Sequence, residues 1–251
     1  MNSKLTNREI SEKNHFNVYA EKYDENYQYS KAFTKYKISK KIDAFIDLIK
    51  RLDNKKLKIL EIGCGTGEYT AKVAKLLPEA KIVAIDISEE ILKVAKLKCN
   101  KQSNISFMHK SVYETKMKAN SFDFIFGFYI LHHLDVSRFR DEAIRLLKPG
   151  GMLFFYEPNI LNPVVYMIKK NKYLKKMVGD SPHEWAINPL KVKRQLKGLK
   201  VVNILTTEYI WPISLVPTKV LIQLDKATQI LRRIPLVNLL GGSVQIIMKK
   251  E

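Results

Sequence analysis

The sequence predicts an α/β fold, a mostly parallel sheet with helices on both of its faces. From Leu57 to Tyr156, short apolar runs rich in β-branched residues alternate with stretches of helical periodicity. That order places a crossover helix between neighbouring parallel strands. The first run, Leu57 to Ile62, leads into glycines at every second position, Gly63, Gly65 and Gly67, before a helical pattern begins. The glycine turn, Asp86, Gly127 and Glu157 each close a predicted strand. All four therefore fall at the carboxyl edge, where such sheets bind ligands.

Ahead of the first strand, Asn14 to Tyr29 crowds aromatics and acids together, and Phe16, Tyr19 and Tyr23 share one helical face. Lys35 to Leu52 has helical spacing, with Ile38, Ile42, Phe45, Ile46 and Ile49 on one side. Strand, glycine turn and helix start then bring backbone N–H groups close to a ligand at a helix N-terminus. The ligand is not a dinucleotide by pattern. A G-x-G-x-x-G frame starting at Gly63 ends on Glu68, one starting at Gly65 ends on Thr70, and no Gly-Lys-Ser/Thr follows for a phosphate loop. Glu61, on the strand just before the glycines, would repel a pyrophosphate but can pair with an ammonium group. The helix after the turn carries Tyr69, Val73, Ala74, Leu76 and Leu77, and Pro78 stops it.

The second strand, Lys81 to Asp86, ends in an acid about twenty residues past the glycine turn, where an α/β nucleotide site holds ribose hydroxyls. Ser88 is the expected N-cap of a helix from Glu89 to Cys99. Ile105 to His109 forms the third strand, followed by Lys110-Ser111-Val112-Tyr113, and Phe122 to Phe126 forms the fourth, ending at Gly127 and Phe128. A helix from Val136 to Leu147 meets a Lys148-Pro149-Gly150-Gly151 stop and turn before the fifth strand, Met152 to Tyr156.

Three segments, Glu61-x-Gly63-x-Gly65-x-Gly67, Ile130-Leu131-His132-His133-Leu134 and Leu147-Lys148-Pro149-Gly150-Gly151, resemble the class I S-adenosylmethionine (SAM) dependent methyltransferases. The likeness is nearest to the methyltransferase type 11 group, which includes enzymes of ubiquinone and menaquinone biosynthesis. The resemblance implies a Rossmann-like, seven-stranded sheet with an antiparallel last strand. It also implies SAM as cofactor, S-adenosylhomocysteine as product and no metal. It assigns cofactor contacts to Tyr23, Glu61, Gly63, Cys64, Gly65, Gly67, Asp86, Ile87, Ser111, Val112, Gly127 and Phe128. Phe16, Tyr19, Tyr23 and Asp24 resemble the family's lid over SAM. At Ser111 the family commonly has an aspartate that accepts from the adenine amine, and a hydroxyl can accept the same bond. His133 matches the family's histidine, and with Glu157 and His183 it is a candidate base for an acceptor that must lose a proton.

Past Tyr156 the chain turns lysine-rich up to Lys200, with a loop at Ser181-Pro182-His183-Glu184-Trp185. His-Glu-x-x-x-Asn is not the H-E-x-x-H of a zinc site. A helix is expected from Pro189 to Leu196, a strand from Lys200 to Ile210, a helical cap within Trp211 to Leu240 whose helix runs from about Thr218 to Arg233, and a last strand from Ser243 to Lys249. The whole reads as one domain: residues 1–52 a helical lid, 53–157 the SAM-binding core, 158–251 acceptor-side insertions and closing strands. The formal charge of +19 fits either an anionic partner or a preference for lysine as the solvated residue. Cys64 and Cys99 form no disulfide or metal spacing, which favours a reducing compartment. With no signal-like start and no membrane-length apolar run, a cytoplasmic protein is expected, with peripheral contact to an anionic membrane through the basic, apolar cap. The expected function is methyl transfer from SAM to an O, N or C atom of a small-molecule or lipid-linked acceptor. RNA or tRNA methylation ranks lower, because Gly127-Phe128-Tyr129-Ile130 stands in place of the Asn/Asp-Pro-Pro-aromatic loop of base-amine methylation. A non-catalytic SAM-binding regulator is the other alternative.

Overall fold

A computed structural model of the chain describes residues 5–52, 56–181, 184–211 and 215–251. Seven strands form one sheet: β1 (Lys58–Ile62), β2 (Lys81–Asp86), β3 (Ile105–His109), β4 (Phe122–Phe128), β5 (Leu147–Pro158), β6 (Lys200–Thr207) and β7 (Ser243–Lys249). Their order is β3-β2-β1-β4-β5-β7-β6. The pairs from β3 through β5 are parallel, and β7 is antiparallel to both β5 and β6. Only β7 therefore runs against the rest. The order reverses between β1 and β4, which opens a crevice at their carboxyl ends.

Alternation along the strands sends successive side chains to opposite faces. On one face Ile59, Phe124, Phe126 and Phe154 pack under the helices α3 (Ala32–Lys50) and α4 (Glu68–Leu76). Phe45 of α3 sits at the centre of this aromatic cluster, its ring 4.7 Å from Phe126 and 4.9 Å from Phe154. On the other face Leu60, Ile125, Leu153 and Phe155 meet α6 (Val136–Leu146) and α9 (Pro189–Gln195). The helix α5 (Glu89–Lys98) covers β2 and β3, its start capped by the Ser88 hydroxyl accepting from the Ile91 N–H.

Several boundaries differ from the sequence expectation. The N-terminal helix α1 spans Asn7–Tyr19 and starts earlier, because Thr6 and Glu9 cap each other's backbone N–H groups. The chain then passes through a 3₁₀ turn, Ala20–Lys22, into the short α2 (Tyr23–Asn26). Lys148 to Gly151, expected as a stop and turn, is part of β5, since Leu147 already pairs with Phe122 across an irregularity. The lysine-rich segment holds two further helices, α7 (Pro163–Lys170) and α8 (Lys172–Val178), each capped by an asparagine, Asn162 and Asn171. β6 stops at Thr207, just before Glu208 takes a positive φ of 65°. The late helix α10 covers Thr218–Ala227 and tightens to 3₁₀ geometry from Thr228 to Arg233. Among the described residues no helix is long and apolar enough to cross a membrane.

Candidate active site

The site is built where β1, β2, β4 and β5 end. After Ile62 the backbone turns through left-handed conformations at Gly63 (φ 60°), Gly65 (φ 52°) and Gly67 (φ 79°), which β-carbons disfavour. At Gly63 a side chain would also collide, its Cβ lying 2.4 Å from Ile130 Cγ1. Asp86 fixes the turn from the next strand: one carboxylate oxygen accepts from the Gly65 N–H (3.0 Å) and the other from the Ser88 N–H (2.9 Å).

Glu61 is 2 % exposed and borders a cavity beside these glycines. Its Oε2 is buried with no hydrogen-bond partner, and the neighbouring Thr70 hydroxyl likewise makes no bond of proper geometry. Burial pushes the Glu61 carboxyl up to about 8, with the Thr70 hydroxyl opposing and the Asp86 charge adding to the shift. A buried acceptor left open in this way fits a ligand that brings an ammonium group. The chain's residues thus fit the amino-acid end of a SAM-like cofactor.

Two cavities, one smaller and one larger, adjoin at this edge. They share Tyr23, Gly63, Gly65, Phe128, Tyr129 and His133 as walls. Asp86, Ile87 and Val112 belong to the smaller cavity, and Glu61, Cys64 and Trp211 to the larger. Helices α1 and α2 form the roof over the glycine turn. Thr66 donates to Asp24 (2.6 Å), Ser88 to Asn17 (2.6 Å) and Ser181 to Glu12 (2.8 Å), and Lys98 pairs with Asp24. These helices are therefore tied to the glycine turn, the start of α5 and the loop after α8.

The adjacent histidines occupy one 3₁₀ turn, Leu131–His133, and have different surroundings. Glu157, fully buried at the end of β5, accepts from the backbone N–H groups of Ile130, Leu131 and His132 and from His132 Nδ1 (2.6 Å). His132 Nε2 lies 3.2 Å from Glu184. Burial opposes a charged ring at His132, but hydrogen bonds to these two carboxylates outweigh it and raise the pKa to about 9. His132 is thus an imidazolium held between two acids. His133 faces both cavities, and its Nδ1 is 3.0 Å from Glu12. Burial and the charged His132 ring lower its pKa below the usual 6.5. A neutral ring beside the Glu12 carboxylate carries its proton on Nδ1, so the lone pair is on Nε2, 3.8 Å from Glu184.

His132, His133 and Glu184 offer ligand atoms within 4.8 Å of one another, the one such group among the described residues. The Lys169 ammonium, however, is bonded to Glu184 and lies 2.7 Å from Asp180. The chain's own cation stands where a metal would bind this carboxylate.

Of the residues expected to touch the cofactor, Tyr23, Glu61, Gly63, Cys64, Gly65, Asp86, Ile87, Val112 and Phe128 border the two cavities. Gly67, Ser111 and Gly127 do not line them. Gly67 lets α4 approach Ala95 and Cys99, Gly127 leaves room for Ile130 and Phe155, and Ser111 donates to Glu9 at 2.5 Å. Of the candidate bases, His133 lines the cavities, Glu157 does not, and His183 lies outside the described residues. The sequence reading missed Glu9, Glu12, Lys169 and Glu184. The Thr6-x-x-Glu9 capping box was the one local signal that α1 begins early enough to present the first two.

Residues 60–155 match the family model described as "Methyltransferase domain". Over 102 residues the chain is 35% identical to a demethylmenaquinone methyltransferase of Staphylococcus aureus, a stretch covering 40% of this chain and 42% of the relative's own length. Among solved structures it is similar to a SAM-dependent methyltransferase of Thermotoga maritima, titled a possible histamine N-methyltransferase. There the TM-score is 0.67 at 17% identity, over 95% of this chain and 99% of that one. An N-methyltransferase of Bradyrhizobium japonicum in complex with S-adenosyl-L-homocysteine gives a TM-score of 0.55 at 16% identity, over 87% and 88% of the two chains. At these identities the likeness to solved structures is one of fold.

Proposed function

We propose that this chain, whose core is a Rossmann-like class I SAM-dependent methyltransferase domain related to the methyltransferase type 11 group, methylates a small-molecule acceptor. The observation that carries the proposal is the buried Glu61 carboxyl, whose Oε2 has no hydrogen-bond partner, beside a left-handed glycine turn, with Asp86 closing the neighbouring strand. SAM, when bound, supplies a methyl group on a sulfonium, a carbon already activated for displacement. The chain contributes recognition, orientation and exclusion of water. Glu61 pairs with the cofactor's ammonium, Asp86 accepts from the ribose hydroxyls, and Ile87 and Val112 flank the adenine. Tyr23 and Phe128 stand where the two cavities meet.

His133 is the base we assign for an acceptor that must lose a proton: Nε2 takes the proton, and Glu12 fixes the tautomer and steadies the imidazolium that results. Glu157 positions the 130–132 backbone and does not take a proton, since its oxygens already accept four hydrogen bonds. The acceptor lies in the larger cavity, so residues 1–52 act as lid, 53–157 as cofactor core and 158–251 as acceptor side. The exposed faces of α7 and α8 favour an acceptor drawn from an anionic lipid surface. There Met167, Tyr173 and Met177 stand out among Lys170, Lys172 and Lys176, while Val165 and Ile168 of α7 line the cavity. On this reading the protein is cytoplasmic and peripheral to the membrane.

The test is conversion of SAM to S-adenosylhomocysteine across pools of amines, phenols, quinols and lipids. For an acceptor that requires deprotonation, His133→Ala lowers kcat by about 10²–10⁴-fold with SAM affinity little changed. With SAM saturating, wild-type kcat is flat above pH 6.5 and falls on acidification, because the base acts unprotonated and its pKa lies below 6.5. Tight SAM binding without turnover in any pool contradicts the enzymatic assignment and supports a non-catalytic SAM-binding protein.

A further inference from the structure

We propose that Glu9, on the first turn of the lid helix, is the residue that recognises the exocyclic amine of adenine. This inference rests on the cofactor site proposed above. Ser111 occupies the position where the resemblance leads one to expect an acidic acceptor, yet its side chain does not line the smaller cavity. Its single proton goes to Glu9 Oε1 at 2.5 Å, and its oxygen accepts from the Tyr113 N–H. The hydroxyl is therefore committed to protein partners. Glu9, which it holds, does line the cavity, together with Asp86, Ile87 and Val112.

Glu9 is 8 % exposed, and its two oxygens are used unequally. Oε2 accepts from both the backbone N–H and the hydroxyl of Thr6, each at 2.9 Å, which completes the helix cap. Among the described residues Oε1 takes only the Ser111 proton. A carboxylate oxygen has two lone-pair sites, so Oε1 keeps one acceptor position, on a residue that lines the cavity. An amine donor suits it, and a carbonyl at the same place would face a carboxylate with no proton between them. The acidic acceptor is thus delivered by the lid, across 102 positions of sequence, and does not stand at position 111. Reading the base and closing the lid become one event.

Two ligands separate recognition from clamping: S-adenosylhomocysteine, and S-inosylhomocysteine, which carries a carbonyl in place of the amine. By calorimetry the wild-type chain binds the adenosyl ligand at least about ten-fold more tightly, as expected when a buried polar acceptor is left facing the wrong group. In Glu9→Ala that ratio falls to about two or less, and adding Ser111→Asp restores it. Glu9→Gln keeps the helix cap and offers both a donor and an acceptor, so it narrows the ratio by improving the inosyl ligand. It serves as the second readout should the alanine variant fail to fold. If Glu9→Ala and Glu9→Gln weaken both ligands by the same factor, Glu9 is only a clamp between α1 and the core, and the inference is overturned. If the wild-type chain binds neither ligand, the cofactor site itself is wrong and this inference falls with it.

Discussion

A buried ionisable group without a partner is costly, and Glu61 is held in that condition beside the glycine turn. With its carboxyl raised by burial to about 8, Glu61 is mostly protonated at pH 7. An ammonium placed against it favours the carboxylate, so the proton leaves. Binding of S-adenosylhomocysteine at pH 7 is expected to release close to one proton, read as a dependence of the calorimetric heat on the buffer's ionisation enthalpy. Glu61→Gln should bind about 10- to 100-fold more weakly, from the loss of a charge-assisted bond, and its heat should not vary with buffer. Buffer-independent heat from the wild-type chain would contradict this role. His132 links to pH differently. Its folded pKa of about 9 exceeds the unfolded 6.5, so the stability it contributes is complete below pH 6.5 and is lost as pH rises through about 9. The effect is at most on the order of 3 kcal/mol. Tm should fall across that window and His132→Gln should flatten the fall, whereas parallel curves would show that His132 carries no such linkage.

Among the elements, α1 and α2, the proposed lid, show what local pattern can and cannot reveal. The aromatic face around Phe16 and Tyr23 is legible from spacing, but the contacts that hold the lid are tertiary: Asp24 to Thr66 and Lys98, Asn17 to Ser88, Glu12 to His133 and Ser181. No sequence window spans them. Asp24 is the most testable of these, since it is partly exposed and lines neither cavity. Asp24→Ala should raise KM for SAM by about 3- to 10-fold, as expected for a loosened gating element. It should also speed proteolysis of α1, with S-adenosylhomocysteine restoring protection. Unchanged KM and cleavage would mean the tie is incidental. The helices α7 and α8 escaped notice for another reason. Their lysines masked the apolar spacing, although Asn162-Pro163 is a helix-start signal in its own right.

At the scale of the molecule, the sheet was the most legible feature. Strands buried on both faces must be apolar throughout, and every strand the sequence predicted is present in the order a doubly wound fold requires. The glycine turn and Asp86 were readable because backbone geometry restricts which residues can stand there. The Glu12–His133–Glu184 grouping was not, because it joins α1, the turn after β4 and the loop after α8. The exposed face of α7 and α8, with Tyr173 70% and Met177 81% exposed, gives a prediction for the whole particle. Vesicles containing phosphatidylglycerol should retain the protein while pure phosphatidylcholine should not, and a Tyr173→Glu/Met177→Glu variant should lose about ten-fold in binding. Equal retention by both lipids would refute an anionic membrane contact. The most direct test of the account is equilibrium titration of the wild-type chain with S-adenosylhomocysteine and, separately, with NADH. One-to-one binding of the sulfur nucleoside at micromolar concentration, with no response to NADH, is the predicted result. Tight binding of NADH with no response to S-adenosylhomocysteine at millimolar concentration would contradict it.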